Sequence, residues 1–129
     1  MKPTFYLLLF TLILASCAPT PTGPQTITIL THDSFAISEE VIKAFEVDNN
    51  AKVVFLQSGD AGAVLNQAIL TKNAPLADIL FGVDNTFLSR ALDADIFEAY
   101  QSPALNDVSV EYILDDTYRA LPVDYGDVC

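Results

Sequence analysis

Apolar and polar positions in the first half of the chain follow two periods, one typical of strands and one typical of helices. Residues 26–31 and 52–57 are rich in β-branched and apolar side chains and predict two strands. Between them, Ser38 precedes two glutamates, an arrangement that favours a helix start, and two asparagines end the segment at residue 50. The residues expected on the buried side of this helix are Val41, Ile42, Phe45 and Val47.

The alternation continues toward the C-terminus. A second helix is predicted over residues 63–72, and its expected apolar face consists of Val64, Leu65, Ala68 and Ile69. The short apolar run 77–81 predicts a strand that is central and buried on both faces. A helix over 86–94 and a last strand over 118–123 complete the predicted elements.

Strands that alternate with helices predict an α/β fold, in which a mainly parallel sheet is flanked by helices. Ligands of such open sheets bind outside the carboxyl ends of the strands. Four segments that follow predicted strands are polar or glycine-containing, and each includes an aspartate. We therefore expect these segments to converge on one edge of the sheet: 31–35, 58–62, 82–85 and 124–126.

The first residues predict export. Residues 5–15 are almost entirely apolar and follow Lys2, which is typical of a signal peptide and too short for a permanent membrane span. The run Leu-Ala-Ser before Cys17 resembles a bacterial lipobox, in which the cysteine is lipidated. We expect a signal peptide over 1–16, lipidated Cys17 with a disordered Pro/Thr linker over 17–25, and a folded part over 26–129.

The predicted location follows from this division: the chain is exported and lipid-anchored to a bacterial membrane, facing the periplasm or the cell exterior. An ordinary cleaved signal peptide with an incidental cysteine is the alternative. If Cys17 is acylated, Cys129 has no partner in an oxidising compartment, and we expect the natural polypeptide to continue beyond it.

Charge narrows the classes of partner. Seventeen acidic residues oppose six basic ones and give a formal net charge of -11. This balance excludes nucleic acid, whose phosphates require lysine and arginine. It also repels anionic lipid headgroups, so the acyl chain rather than the protein surface is expected to hold the membrane. An acidic surface suits a cationic ligand, although solubility alone also explains it.

The candidate chemical groups favour binding over catalysis. His32 is the only histidine, and no metal-ligand spacing joins it to Asp33, Asp60 or Asp84, so we expect neither a metal nor a cofactor. Ser34 lacks a Gly-x-Ser-x-Gly elbow, so we expect no enzyme activity. Asp60 and Asp84 are each placed to cap a helix, to contact a ligand, or both.

Tyr125 follows a predicted strand, where its ring can stack on a flat or cationic ligand or pack structurally.

Several of these segments, taken in order, resemble thiamine-binding periplasmic proteins, the solute-binding components of thiamine ABC importers. The segments are Thr-His-Asp-Ser-Phe at 31–35, Asp60 before Val-Leu-Asn at 64–66, Ala-Asp-Ile-Leu-Phe-Gly-Val-Asp-Asn at 77–85, and Leu-Pro-Val-Asp-Tyr-Gly at 121–126. Single pieces also occur in the wider class of proteins that carry ferric iron, sulfate or polyamines.

The resemblance implies the first lobe of a two-lobed periplasmic-binding-protein fold of type II, truncated near the crossover to a second lobe and present here as an N-terminal fragment. It implies an ABC permease as partner and thiamine or its phosphates as ligand. The implied ligand contacts are His32, Asp33, Ser34, Asp60, Asp84 and Tyr125. The alternatives are a binding protein for ferric iron or another small solute, a small standalone lipoprotein interaction module, and a secreted hydrolase that uses Ser34 and His32.

Overall fold

A three-stranded parallel sheet forms the centre of the protein. The computed structural model describes residues 23–125; the predicted signal peptide, Cys17 and Cys129 lie outside this range. The strands are β1 (Gln25–Thr31), β2 (Ala51–Gln57) and β3 (Ile79–Leu80), in the order β2-β1-β3. In the register, Ile29 of β1 faces Phe55 of β2 and Ile79 of β3.

Three helices connect and follow the strands: α1 (Glu39–Asn49), α2 (Ala61–Leu70) and α3 (Asn85–Asp93). Two short 3-10 helices follow at Pro103–Asp107 and Val110–Tyr112. The predicted α/β fold class is therefore confirmed, and the helices and the first two strands lie within two residues of their predicted bounds. No helix within residues 23–125 is long and apolar enough to cross a membrane.

The core lies where α2 packs against β1 and α3. Val64 and Leu65, predicted on the apolar face of α2, are buried, whereas Ala68 and Ile69 are half-buried. Because the strand β1 has neighbours on both sides, its carboxyl end is also enclosed. The other buried residues of the core are Leu30, Thr31, Ala51 and Ala91.

Helix α1 differs from the prediction in its burial. None of its residues is buried: Val41, Phe45 and Val47 are exposed, and Ile42 is half-buried. The helix contacts β2, which is an edge strand of the three-stranded sheet. An apolar stripe can be buried only where there is surface to cover it, so the prediction of a buried side is wrong for residues 23–125.

Strand β3 is shorter and more exposed than predicted. It covers two residues, has β1 as its hydrogen-bonded neighbour within residues 23–125, and leaves Ile79 48 % exposed. Asp78 begins the pairing with its side chain, whose Oδ2 accepts from the Thr28 backbone N–H at 2.8 Å. The central strand is β1, and the expectation that residues 77–81 are central and buried is wrong.

The predicted strand over 118–123 is absent, and a loop organised by Asp115 takes its place. The Asp115 carboxylate accepts from the backbone N–H groups of Thr117, Arg119 and Ala120 at 3.1, 2.7 and 3.0 Å. Tyr118 has a left-handed backbone with φ 58°. A strand needs extended backbone and N–H groups free for a neighbouring strand, and here both conditions fail.

Candidate functional site

The loops that follow β1 and β2 are tied together by a reciprocal pair of hydrogen bonds. The Asp33 backbone N–H donates to the Gly59 carbonyl oxygen at 2.9 Å, and the Gly59 N–H donates to Asp33 Oδ1 at 2.9 Å. The Gln57 side-chain amide spans the same gap and donates to the carbonyls of Asp33 and Phe35 at 3.3 and 3.2 Å. The carboxyl ends of two neighbouring parallel strands thus form one continuous polar edge.

The loop after β3 joins this edge through two close approaches. The His32 ring lies against Gly82, where a Cβ, if the residue had one, would stand 2.6 Å from the ring atom Cδ2. At the start of α2, a Cβ on Gly62 would lie 3.4 Å from Cζ of Phe87, in the first turn of α3, and 3.4 Å from Asp60 Oδ1. Three of the four predicted segments therefore converge, as the strand connectivity requires.

Asp60 and Asp84 each cap a helix at this edge. Asp60 Oδ1 accepts from the Ala63 backbone N–H at 2.7 Å at the start of α2. Asp84 Oδ1 accepts from the N–H groups of Thr86 and Phe87 at 2.9 and 3.1 Å at the start of α3. Both aspartates are exposed, and their capping bonds engage Oδ1. The predicted capping roles are confirmed.

His32 is held by a hydrogen bond and by aromatic neighbours. Its Nδ1 lies 2.9 Å from Ser34 Oγ, with donor and acceptor set by the ring tautomer. Its ring meets Phe35 edge-on at a centroid distance of 6.4 Å and lies 6.3 Å from Phe81. Phe35 packs in turn on Phe55 and Phe81 at 5.3 and 4.9 Å. The edge therefore combines carboxylates with an aromatic cluster.

An open depression of about 530 Å³ extends from this edge along the groove between α2 and α3. Arg90 closes one side, where its Nη2 donates to Oδ1 of Asn66. Phe87 and Arg90 were not predicted as site residues; their regular spacing after the Asp84 cap, Phe87 three residues and Arg90 six residues further on, was the available signal. The lining residues are Asp60, Ala61, Gly62, Ala63, Asn66, Phe87 and Arg90.

Tyr125 is not brought to this edge. Its ring stacks on Tyr112 at a centroid distance of 4.7 Å and an interplanar angle of 17°, and the residue is 77 % exposed. The expected convergence of segment 124–126 depended on a strand over 118–123, which is absent. Within residues 23–125, the described aromatic contact of Tyr125 is with the 3-10 helix and not with the loops after β1, β2 and β3.

Two further observations concern metal binding and a second surface depression. No group of three or more histidine, cysteine or acidic residues in the part of the chain from 23 to 125 is arranged to hold a metal ion. A second open depression, of about 470 Å³, lies at the opposite edge of the sheet beside Phe45 and Asn50, and none of the predicted site residues lines it.

Two curated proteins are similar to this chain, and both are named thiamine-binding periplasmic protein. The protein from Salmonella typhimurium strain LT2 is 29% identical over 124 residues, which cover 88% of this chain and 36% of the relative. The protein from Escherichia coli strain K12 is 32% identical over 120 residues, which cover 89% of this chain and 36% of the relative. No protein-family model matches the chain.

The chain thus spans about a third of the length of the curated relatives it matches. The similarity supports the family that the sequence motifs indicated. The parallel α/β arrangement is consistent with part of a periplasmic-binding fold.

Proposed function

We propose that this chain is part of the solute-binding protein of an ABC importer and that its solute is thiamine or a thiamine phosphate. The observation that carries the proposal is the carboxylate-rich edge, where Asp33, Asp60 and the Asp84 cap lie on loops joined by direct contacts. The names of the two relatives supply the ligand class. The function is binding and delivery rather than catalysis.

The chemistry of thiamine suits this edge. Its thiazolium ring carries a fixed positive charge, which nearby carboxylates attract, and its aminopyrimidine donates hydrogen bonds that a carboxylate oxygen accepts. Asp60 is the residue we assign to this contact, because its carboxylate is exposed at the mouth of the depression. His32, Asp33, Ser34 and Asp84 complete the proposed contacts, whereas Tyr125 stacks on Tyr112 and is left out of them.

The proposal includes export and tethering. The signal peptide and Cys17 predicted from the sequence would place the protein outside the inner membrane on a lipid anchor, where an importer's binding protein meets its permease. Periplasmic relatives support export. Lipidation of Cys17 and contact with a permease are further parts of the proposal.

Calorimetric titration with thiamine, ferric citrate and spermidine tests the ligand. Binding proteins of this class close two lobes around the solute, and the chain spans about a third of its relatives, so we expect weak thiamine binding by the chain alone. Joined to the part of the Escherichia coli relative that it does not match, it is expected to bind thiamine tightly.

In that joined protein, Asp60→Asn is expected to weaken thiamine binding by about 1–3 kcal/mol, the range for loss of a charged hydrogen-bond partner. Asp48→Asn is the matched control, because Asp48 is an exposed aspartate on α1, away from the carboxyl edge. Equal losses of thiamine affinity in the two variants would show that Asp60 does not contact the ligand. Tight binding of iron without a response to thiamine would show that the ligand is ferric iron rather than thiamine. Absence of binding to any of the three solutes would overturn the proposal.

A further inference from the structure

Gly82 stands at a position that the sheet register pairs with His32. Strands β1 and β3 pair Ile29 with Ile79 and Leu30 with Leu80, and the Phe81 N–H donates to the Leu30 carbonyl at 2.9 Å. Two residues further along each chain, the same register brings His32 beside Gly82. The two residues therefore lie next to each other just beyond the carboxyl ends of neighbouring strands.

The missing side chain of Gly82 is what admits the His32 ring. A Cβ at Gly82 would lie 2.6 Å from Cδ2 and 3.3 Å from Nε2 of His32. The first of these distances is too short for any pair of non-bonded carbon atoms. Gly82 also has φ +104°, a conformation that residues with a Cβ rarely adopt. Both the short distance and the positive φ make glycine necessary at this position, but only the short distance involves His32.

The ring is held on its other side by Ser34 and the aromatic cluster. Ser34 Oγ lies 2.9 Å from Nδ1, and the half-buried ring has Phe35 and Phe81 as aromatic neighbours at centroid distances of 6.4 and 6.3 Å. Within residues 23–125 the bond to Ser34 is the described hydrogen bond of the ring, which leaves Nε2 as its second polar atom. A ring fixed at one nitrogen presents the other in a defined direction.

We propose that Gly82 is a positioning residue for His32: the space left by its absent side chain sets the ring orientation in which Nδ1 bonds to Ser34 and Nε2 faces the solute at the carboxyl edge. The solute contact rests on the proposed function. The ring orientation does not, because it is built from contacts within the chain. The glycine of the Gly-Val-Asp-Asn segment at 82–85 thereby has a role in the site distinct from that of the Asp84 cap.

Imidazole nitrogen NMR of the purified full chain tests the orientation without any solute. His32 is the only histidine, so both ring nitrogen signals belong to it. Gly82→Ala is expected to shift both signals, because the new Cβ displaces the ring from Ser34. Gly59→Ala is the matched control: Gly59 also has positive φ, and a Cβ there would meet Ala63 rather than the ring. Unchanged nitrogen signals in Gly82→Ala would overturn the proposal.

A double-mutant cycle separates the ring contact from backbone strain. If the His32 ring is what the new Cβ meets, Gly82→Ala lowers the urea midpoint of unfolding much less in a His32→Ala background than in the natural chain. Equal shifts of the midpoint in the two backgrounds would show that Gly82 is required only for its backbone conformation. Should Gly82→Ala alone fail to fold, the double variant is expected to fold, and its failure to do so would also overturn the proposal.

Thiamine is then titrated into the protein joined to the unmatched part of the Escherichia coli relative, in which the ring signals of His32 are identified by their loss in His32→Ala. A selective shift at Nε2 is the expected result. If the Gly82→Ala result holds, and thiamine binds the joined protein by calorimetry but leaves both nitrogens unchanged, the solute contact of His32 is wrong while the positioning role stands. The two failures are therefore distinguishable.

Discussion

At the scale of single residues, Asp115 shows how one side chain determines the path of a loop. Burial acts to raise the pKa of its carboxyl, but hydrogen bonds from Thr117, Arg119 and Ala120 outweigh burial and lower the pKa. Arg119, thus oriented, donates to the Leu92 carbonyl at 3.2 Å. The loop is thereby attached to the end of α3, next to the groove between α2 and α3.

The depressed pKa predicts an acid-sensitive contribution to stability. In the unfolded chain Asp115 takes up its proton near its ordinary pKa of about 4, whereas in the folded chain it stays charged to lower pH. The unfolded state therefore binds more protons in this window. The stabilisation is fully present above about pH 4 to 5 and is lost as pH falls through the folded pKa.

Asp115→Asn is expected to lower the free energy of unfolding at pH 7 by about 1–3 kcal/mol and to flatten its decline below pH 5. Urea unfolding between pH 7 and pH 3 measures both effects. Asp116→Asn is the control, because this neighbouring aspartate is exposed. A pH profile for Asp115→Asn parallel to that of the natural chain would contradict the assignment.

At the scale of elements, the starts of α1 and α3 provide a matched comparison of helix caps. Ser38 and Asp84 both occupy the N-cap position with extended backbone. Asp84 accepts two backbone hydrogen bonds, whereas the Ser38 side chain makes no capping bond. The N-cap side chains of α1 and α3 are therefore expected to contribute different amounts to the free energy of unfolding.

Asp84→Ala is expected to destabilise the chain by about 1 kcal/mol, within the range of about 0.5–2 kcal/mol for loss of an N-cap side chain. Ser38→Ala is expected to change stability by less than about 0.5 kcal/mol. Urea unfolding followed by circular dichroism compares the two. A loss at Ser38 equal to that at Asp84 would show that the capping bonds are not the source of the difference.

At the scale of the whole molecule, the apolar surface is the feature with the largest expected consequence. Several large apolar residues on α1 and the sheet are exposed, among them Val47 at 80 %. Exposed apolar surface on this scale favours association with another surface. The others are Val41 and Phe45 on α1, Val54, Leu56 and Ile79 on the sheet, and Ile37 just before α1.

We therefore expect the purified chain to self-associate and to have a free energy of unfolding below about 5 kcal/mol, the lower end for stable domains. Sedimentation velocity across a concentration series measures the association. Val47→Lys is expected to reduce it with little change in stability, since this side chain is already solvated. A monomeric chain with a sharp two-state transition and higher stability would contradict the expectation.

Anchoring is also a property of the whole molecule. If Cys17 carries a lipid, the chain expressed in a bacterium should fractionate with membranes and its processing should be sensitive to globomycin. Cys17→Ser should release the chain or stop its processing. Identical fractionation and electrophoretic mobility of the two proteins would show that Cys17 is not lipidated.

Elements with local signals were predictable from the amino-acid pattern. β1, β2 and the three helices lie where periodicity and capping residues predicted them, because alternation, N-cap chemistry and asparagine at a helix end act within a few residues. The meeting of the segments after the first three strands was also predictable, because parallel strands bring their carboxyl ends to one edge. Asp60 and Asp84 could therefore be found from sequence as caps at that edge.

Features that depend on neighbours distant in the chain were not predictable in this way. The run 77–81 has the same composition whether it lies at the centre or the edge of a sheet, and the pairing with β1 alone places it at the edge of the described sheet. The residues 118–123 have strand-forming side chains, but the Asp115 carboxylate takes the N–H groups that a ladder requires. The contact of His32 with Gly82 joins residues 50 apart, and no local pattern encodes it. Burial, pairing and ring orientation are long-range properties because each is set by which surfaces the folded chain brings together.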